Sequence, residues 1–530
     1  MTEPDQRTGG VAVGPSGGPS GGSLGWFAAH EARLAWRDLR FLVGNSQRRS
    51  KRGLIIAALA LGLFLHWLGY RMFGDAASAA SLTDRSTLIV MTGVLIMGWM
   101  LMLSQAMEAV TRAFYTRADL ELLLSSPVAA WKIFAVRIVA MAAAIGIMSL
   151  IMAAPFLNVL AWAGGARWLG GYVVIVAFVL IAVAVAVALT VALFAVIGPR
   201  RTRVVAQIVA AVLGAVFIVA LQIAAVATYG TISSTVLLRS AELQTVAPEL
   251  DSLFWYAARA VLGEIPAMLG LLAVSIVLLA LSIAVFAPKF GPFAIAAASV
   301  GHIGRGPRSS VTTPANFRNR SARQALQRKE WALLRRDPWL ASQTLMQVLY
   351  LLPAAVLLWQ HFGAGVDVAA LLVPVLIAAA GQLAGGLAWI AIGGEDAPEL
   401  IASAPIPPAK VLRAKTEAVM SALAVIFVPF VAVIGLVSAR AAFVALIGVI
   451  MVAASSTAIQ FWFRAQAQRN RMRRRQTSSR LASVTEAMAA IGFAACAAFA
   501  TAGTWLALIP GGIAVGIVLS AWVISPARAA

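Results

Sequence analysis

The 530-residue chain has one cysteine, Cys496, and four scattered histidines, His30, His66, His302 and His361. A lone thiol excludes a disulfide framework and a thiolate metal site, and dispersed imidazoles make no ligand cluster, so no metal is expected. His66, beside Trp67 in an apolar run, reads as a packed or interface residue and not as a proton relay. Charge is sparse too: 12% of the residues are charged, where a soluble domain carries about 25%. No G-x-x-x-x-G-K-S/T phrase occurs. The chain therefore has no loop to cradle nucleotide phosphates and is not expected to hydrolyse ATP itself. Residues 1–23 are rich in Gly, Ser and Pro without an apolar h-region, and read as a disordered tail and not a signal peptide.

What is abundant is apolar surface, with 61% hydrophobic residues and a mean hydropathy of +0.87. A helix crosses the roughly 30 Å hydrocarbon core with about 20 apolar residues, and runs of that length recur along the chain. They are too long and too evenly apolar for the alternating, roughly 10-residue strands of a membrane barrel. The expected fold is an all-α integral membrane protein of about 12 transmembrane helices. In the first half the spans start near Leu54, Thr87, Ile133, Leu169, Val204 and Ala267; in the second, near Ala341, Val366, Val411, Ala441, Ala482 and Trp505.

Basic residues outnumber acidic ones 42 to 21, for a net charge of +21. In a soluble chain that excess would point to nucleic acid, but its placement decides otherwise. Arg48 to Arg52, Arg200 to Arg203, Arg305 to Arg336 and Arg464 to Arg480 all fall on one side of the membrane when the spans alternate. The positive-inside rule makes that side cytoplasmic, with both termini, in a bacterial-type cytoplasmic (inner) membrane. These basic segments are expected to meet anionic lipids and no nucleic acid.

The rare polar letters repeat. Glu121-Leu-Leu-Leu-Ser-Ser-Pro127 recurs as Glu399-Leu-Ile-Ala-Ser-Ala-Pro405, and in the same register Lys132 and Arg137 fall on Lys410 and Lys415. Glu31-x-x-Leu34-x-x-Arg37-Asp38 recurs as Glu330-x-x-Leu333-x-x-Arg336-Asp337, each just before the first span of its half, and Arg203 matches Arg480. The expected organisation is a tandem duplication: a first repeat over 24–300, a cytoplasmic linker over 301–324 and a second repeat over 325–530. An even number of spans per repeat inserts both in the same orientation, as parallel repeats about a pseudo-two-fold axis along the membrane normal. The repeated polar segment reads as a short surface helix, a Pro turn and a re-entering helix. It is either an interfacial connector anchored on headgroups or a docking element for a soluble partner.

In these features the chain resembles the permease subunits of ATP-binding-cassette transporters of the type-2 exporter class, here with two permease units fused. Similar to that family are the amphipathic helices before the first span of each half (28–41 and 325–340) and the phrase between the second and third spans (119–127 and 395–405). The basic turn between the fourth and fifth spans and the long external segment from Thr228 to Pro266 also match it. The second half departs from the pattern, with a very short last link and almost no external segment. The resemblance implies an exporter energised by a separate ABC ATPase in two copies, one under each half, with ATP and Mg held on the partner. The ATPase-coupling residues it implies are Asp119, Glu121, Ser125, Pro127, Lys132 and Arg137, and Glu395, Glu399, Ser403, Pro405, Lys410 and Lys415. Importers of the superfamily carry E-A-A-x-x-x-G, which Glu486-Ala487-Met488 with Gly492 approaches only by chance in an Ala-rich run.

Asn158, Gln222 and Gln382 are the candidates for lining a pathway, against a role as interhelical hydrogen bonds. Glu108 and Glu417 are expected near cytoplasmic helix ends, and Pro155 and Pro429 are placed to kink the third and ninth spans. The external cluster Phe254-Trp255-Tyr256, with Arg259 and Glu264, suits a headgroup-level aromatic belt or, by the resemblance, an outer gate. Two alternatives remain open: an ion-coupled secondary transporter, and an ABC-associated membrane regulator that transports nothing.

Overall fold

The structure is a computed structural model. It describes residues 25–33, 84–115, 129–229, 234–299, 321–336, 366–393, 401, 403–463 and 480–525, with scattered positions in 59–74 and 345–356. Among the described residues there is no strand, and ten helices are long and apolar enough to cross a membrane. The protein is a multi-pass membrane protein. The two expected spans near Leu54 and Ala341 lie largely outside the described residues.

Residues 25–33 form α1. The first-half spans that follow are α2 (Arg85–Tyr115), α3 (Ala130–Gly164), α4 (Ala166–Gly198), α5 (Arg201–Tyr229) and α9 (Ile265–Ser299). Between α5 and α9 lie three short helices, α6 (Ser234–Leu238), α7 (Ala241–Val246) and α8 (Tyr256–Val261). The second half comprises α10 (Ala322–Arg336), α11 (Val366–Gly393), α12 (Pro408–Val437), α13 (Ala439–Trp462), α14 (Arg480–Thr501) and α15 (Leu508–Ile524).

Local chemistry sets the ends. Asp84 caps α2: its carboxylate accepts from the backbone N–H groups of Ser86 (3.1 Å) and Thr87 (3.0 Å) and from both hydroxyls. These bonds, that from the Thr87 hydroxyl foremost, hold the Asp84 carboxyl below its usual range. Pro408 opens α12, where a missing N–H costs nothing. α4 and α5 are separated by a single break at Gly198, whose φ of 72° is open to glycine and strained for other residues. Pro155 and Pro429 sit inside helices that continue past them.

Each half builds its own core. In the first, α2 packs against α4 and α5, and one buried cluster runs from Leu103 through Phe134, Val183 and Ala206 to Ala287. In the second, α11 packs against α13 and α14, and the cluster runs from Leu334 through Leu383, Phe427 and Val452 to Ala514. Among the described residues no buried cluster mixes side chains of the two halves.

The end of the molecule opposite the basic segments is asymmetric. In the first half the stretch from α6 to α8 folds over the helix ends, joined to α2 by the Arg85 guanidinium donating to the Gln244 carbonyl at 3.1 Å. Tyr229 donates to Glu242 at 2.7 Å and so holds that carboxyl below its usual range. The aromatic cluster expected there as a belt is split. Trp255 is 1% exposed and packs with Trp168 and Leu88, its indole N–H donating to the Glu249 carbonyl, while Phe254 stays exposed. An indole whose one polar group is satisfied internally belongs to a core and not to a headgroup layer. In the second half the corresponding end is a tight turn at Gly503, tied by Arg440 donating to the Ala500 carbonyl.

Candidate functional site

α10 is amphipathic, and Leu326, Glu330 and Leu334 recur at helical spacing on its buried face. A carboxylate on an apolar stripe needs a cation, and Lys415 from the start of α12 supplies it. The Lys415 ammonium donates to both Glu330 oxygens, at 2.9 and 3.0 Å, and to the Ala391 carbonyl at 2.5 Å. Its Nζ thus holds three elements: the amphipathic helix, the end of α11 and the start of α12. The polar segment 394–407 connects α11 to α12, and the helices on either side of it share this one charge. Lys329 adds a second cation, 3.3 Å from Glu330.

Two residues further along α12, Glu417 ties that helix to α10 a second time. It accepts from Arg323 (2.7 Å) and Gln327 (2.6 Å) of α10 and from Arg413 (3.1 Å) of its own helix. This network is more open than the Lys415 pair.

The first half carries the equivalent pair. Arg137 of α3, 3% exposed, lies 3.8 Å from Glu31 of α1. Phe27 packs beside it on Ile133 and Val136. The repeated acid before the first span and the repeated base after the polar phrase are therefore partners in both halves, although they lie far apart in the sequence.

This geometry changes how the expected coupling residues divide. Arg137 and Lys415 are buried and engaged inside the chain, so they are not surface groups offered to a partner; a buried base is held where a carboxylate of the same chain can compensate it. Ser403 and Pro405 are exposed in the turn leading into α12, Lys410 is exposed in the first turn of that helix, and Lys132 is half-buried near the Trp131 ring. Asp119, Glu121, Ser125, Pro127, Glu395 and Glu399 lie outside the described residues. Sequence reasoning passed over the pairing of Glu31 with Arg137 and of Glu330 with Lys415. The signal was present, since an acid and a base that duplicate together are candidates for a shared contact.

The expected pathway residues fall on three helices. Asn158 is exposed on α3, where Tyr172 donates to its Oδ1 at 2.7 Å and its Nδ2 lies 3.4 Å from His66 Nε2. His66 Nδ1 sits 2.7 Å from the Gly62 carbonyl, which can only accept, so that nitrogen carries the proton. Gln222 is half-buried on α5 and Gln382 exposed on α11. Among the described residues no group of His, Cys, Asp and Glu is placed to hold a metal ion.

Comparison of the chain with protein-family models, with curated proteins and with solved structures gives no match.

Proposed function

We propose that the chain is the membrane-spanning component of an ATP-driven exporter of the ABC type. In this reading about 12 spans are arranged as two parallel repeats, and the basic ends and both termini face the cytoplasm. The observation that carries it is the paired clamp. Each polar phrase leads into a span whose buried base is tied to the amphipathic helix of the same half, Arg137 to Glu31 and Lys415 to Glu330. A lipid connector needs no such bracing. A segment that receives a push does, because force on an unbraced loop dissipates in the loop.

Two ATPase subunits would dock beneath the two phrases, holding ATP and Mg themselves, and their closure would rock one half against the other. Glu121 and Glu399 would be the contacts, with the exposed Ser403, Pro405 and Lys410, while Arg137 and Lys415 brace the helices that follow the two phrases. An ion-coupled transporter is less well supported. It needs several ionisable groups at depth, whereas in the described spans Glu108 and Glu417 are paired with arginines and Glu486 is a single half-buried acid. Purification of the tagged chain from its native membrane is expected to bring down an ATPase, and reversal of Glu121 and Glu399 to Lys to release it. Recovery of the chain alone under mild detergent, together with unchanged activity of the double reversal, would count against the reading.

A further inference from the structure

In the second half, three helices converge through pairs of residues one turn apart: Gly381 and Gly385 on α11, Ser456 and Gln460 on α13, Glu486 and Ala490 on α14. The room left by Gly381 is filled by Val452, Ala490 and Ser456. The room left by Gly385 is filled by the Glu486 carboxyl, which a Cβ there would overlap. Gln460 donates its amide N–H to Glu486 Oε2 at 2.6 Å, and Ser456 and Gln460 are buried beside it. Glu486 lies about 6 Å along the axis from Ala482, near the basic end of the span.

Among the described residues no cation reaches this carboxyl. α15 has no charged residue; on α13 the one charge, Arg440, is at the opposite end, donating to Ala500. On α11 the one charge is Asp367 and on α14 the other is Arg480, each at the start of its helix. On α12, Lys415 and Glu417 are engaged with α10. An anion held by one neutral donor against glycine backbone loses its hydration without a compensating charge, while the neutral acid keeps the same hydrogen bond.

We propose that Glu486 is a proton-binding site. α11, α13 and α14 close on the neutral acid; when water from the basic side takes the proton, the carboxylate draws in hydration and the three helices loosen. The register that aligns Arg203 with Arg480 places Val209 at the equivalent position of the first half, so the proton acts on one half alone. This inference does not depend on the exporter reading and is tested on the full chain without an ATPase.

The test is infrared difference spectroscopy of the chain in lipid nanodiscs as pH is raised through neutrality. The expected result is one reversible carboxylic-acid carbonyl band in the wild type, lost in Glu486→Gln. In Gly385→Ala, which seats a methyl group where the carboxyl lies, the band is expected to be lost or shifted. A wild type without a titrating band, the same band in Glu486→Gln, or an unaltered band in Gly385→Ala would overturn the proposal. A band removed by sodium at constant pH would make the site one for a metal cation and overturn it as well.

Discussion

Glu330 and Lys415 take opposite charges out of water together, at 1% and 11% side-chain exposure, and the energetics of such a pair are lopsided. Removing one member strands the other, which costs about 3–5 kcal/mol, while a well-packed apolar replacement of both is often neutral. Lys415→Met and Glu330→Gln are each expected to lower the thermal midpoint of the detergent-solubilised chain sharply, and Glu330→Met with Lys415→Met to recover much of the loss. At Asp84 the sign is that of a carboxylate held below its ordinary range. Its contribution is complete above the unfolded value and is lost as pH falls through the lower folded value. Asp84→Asn keeps the cap without the charge, so its stability is expected to lose that acid-side dependence, measured as thermal midpoint against pH. A replacement that cannot cap, Asp84→Ala, is expected to cost about 0.5–2 kcal/mol at neutral pH.

At the scale of elements, the stretch from α6 to α8 behaves as a folded cap and not as a loose belt. Trp255→Ala empties a site enclosed by Trp168 and Leu88 and is expected to cost about 3–5 kcal/mol. Phe254→Ala, at an exposed neighbour, is expected to stay within about 0.5 kcal/mol. Denaturant titration of the two variants side by side checks the contrast, and equal losses would show that the two rings are not divided between core and surface. The starts of the ten described spans were legible in the sequence because apolar length and charged borders are properties of the chain itself. Expected starts at Ala482 and Trp505 coincide with those of the described spans, and Thr87 falls two residues inside Arg85–Ala113. The division of the aromatic cluster was not legible. Neighbouring residues in a 3-10 turn point in different directions, and nothing local says which of them meets Trp168.

For the whole molecule, the separate cores of the halves carry a prediction about covalent continuity. Cutting the chain within 301–320 and co-expressing the pieces is expected to give two fragments that each fold and that purify together. Rapid degradation of either fragment alone would show that the halves depend on one another more than their cores indicate. If the two clamps serve equivalent docking sites, native mass measurement of the purified complex is expected to find two ATPase subunits per chain.

By itself the sequence determined the membrane class, the positions of the ten described spans and the doubled polar phrase, because apolar length, charge placement and repeated rare letters are readable in one dimension. The tertiary structure decided where Arg137 and Lys415 point. The resemblance implies both as coupling residues alongside Lys132 and Lys410, yet Lys410 is exposed and Lys415 buried, five residues along the same helix. Which face of a helix meets a carboxylate from another element depends on how the helices pack. The charge of a lysine is written in the sequence, but its burial is a property of the fold around it.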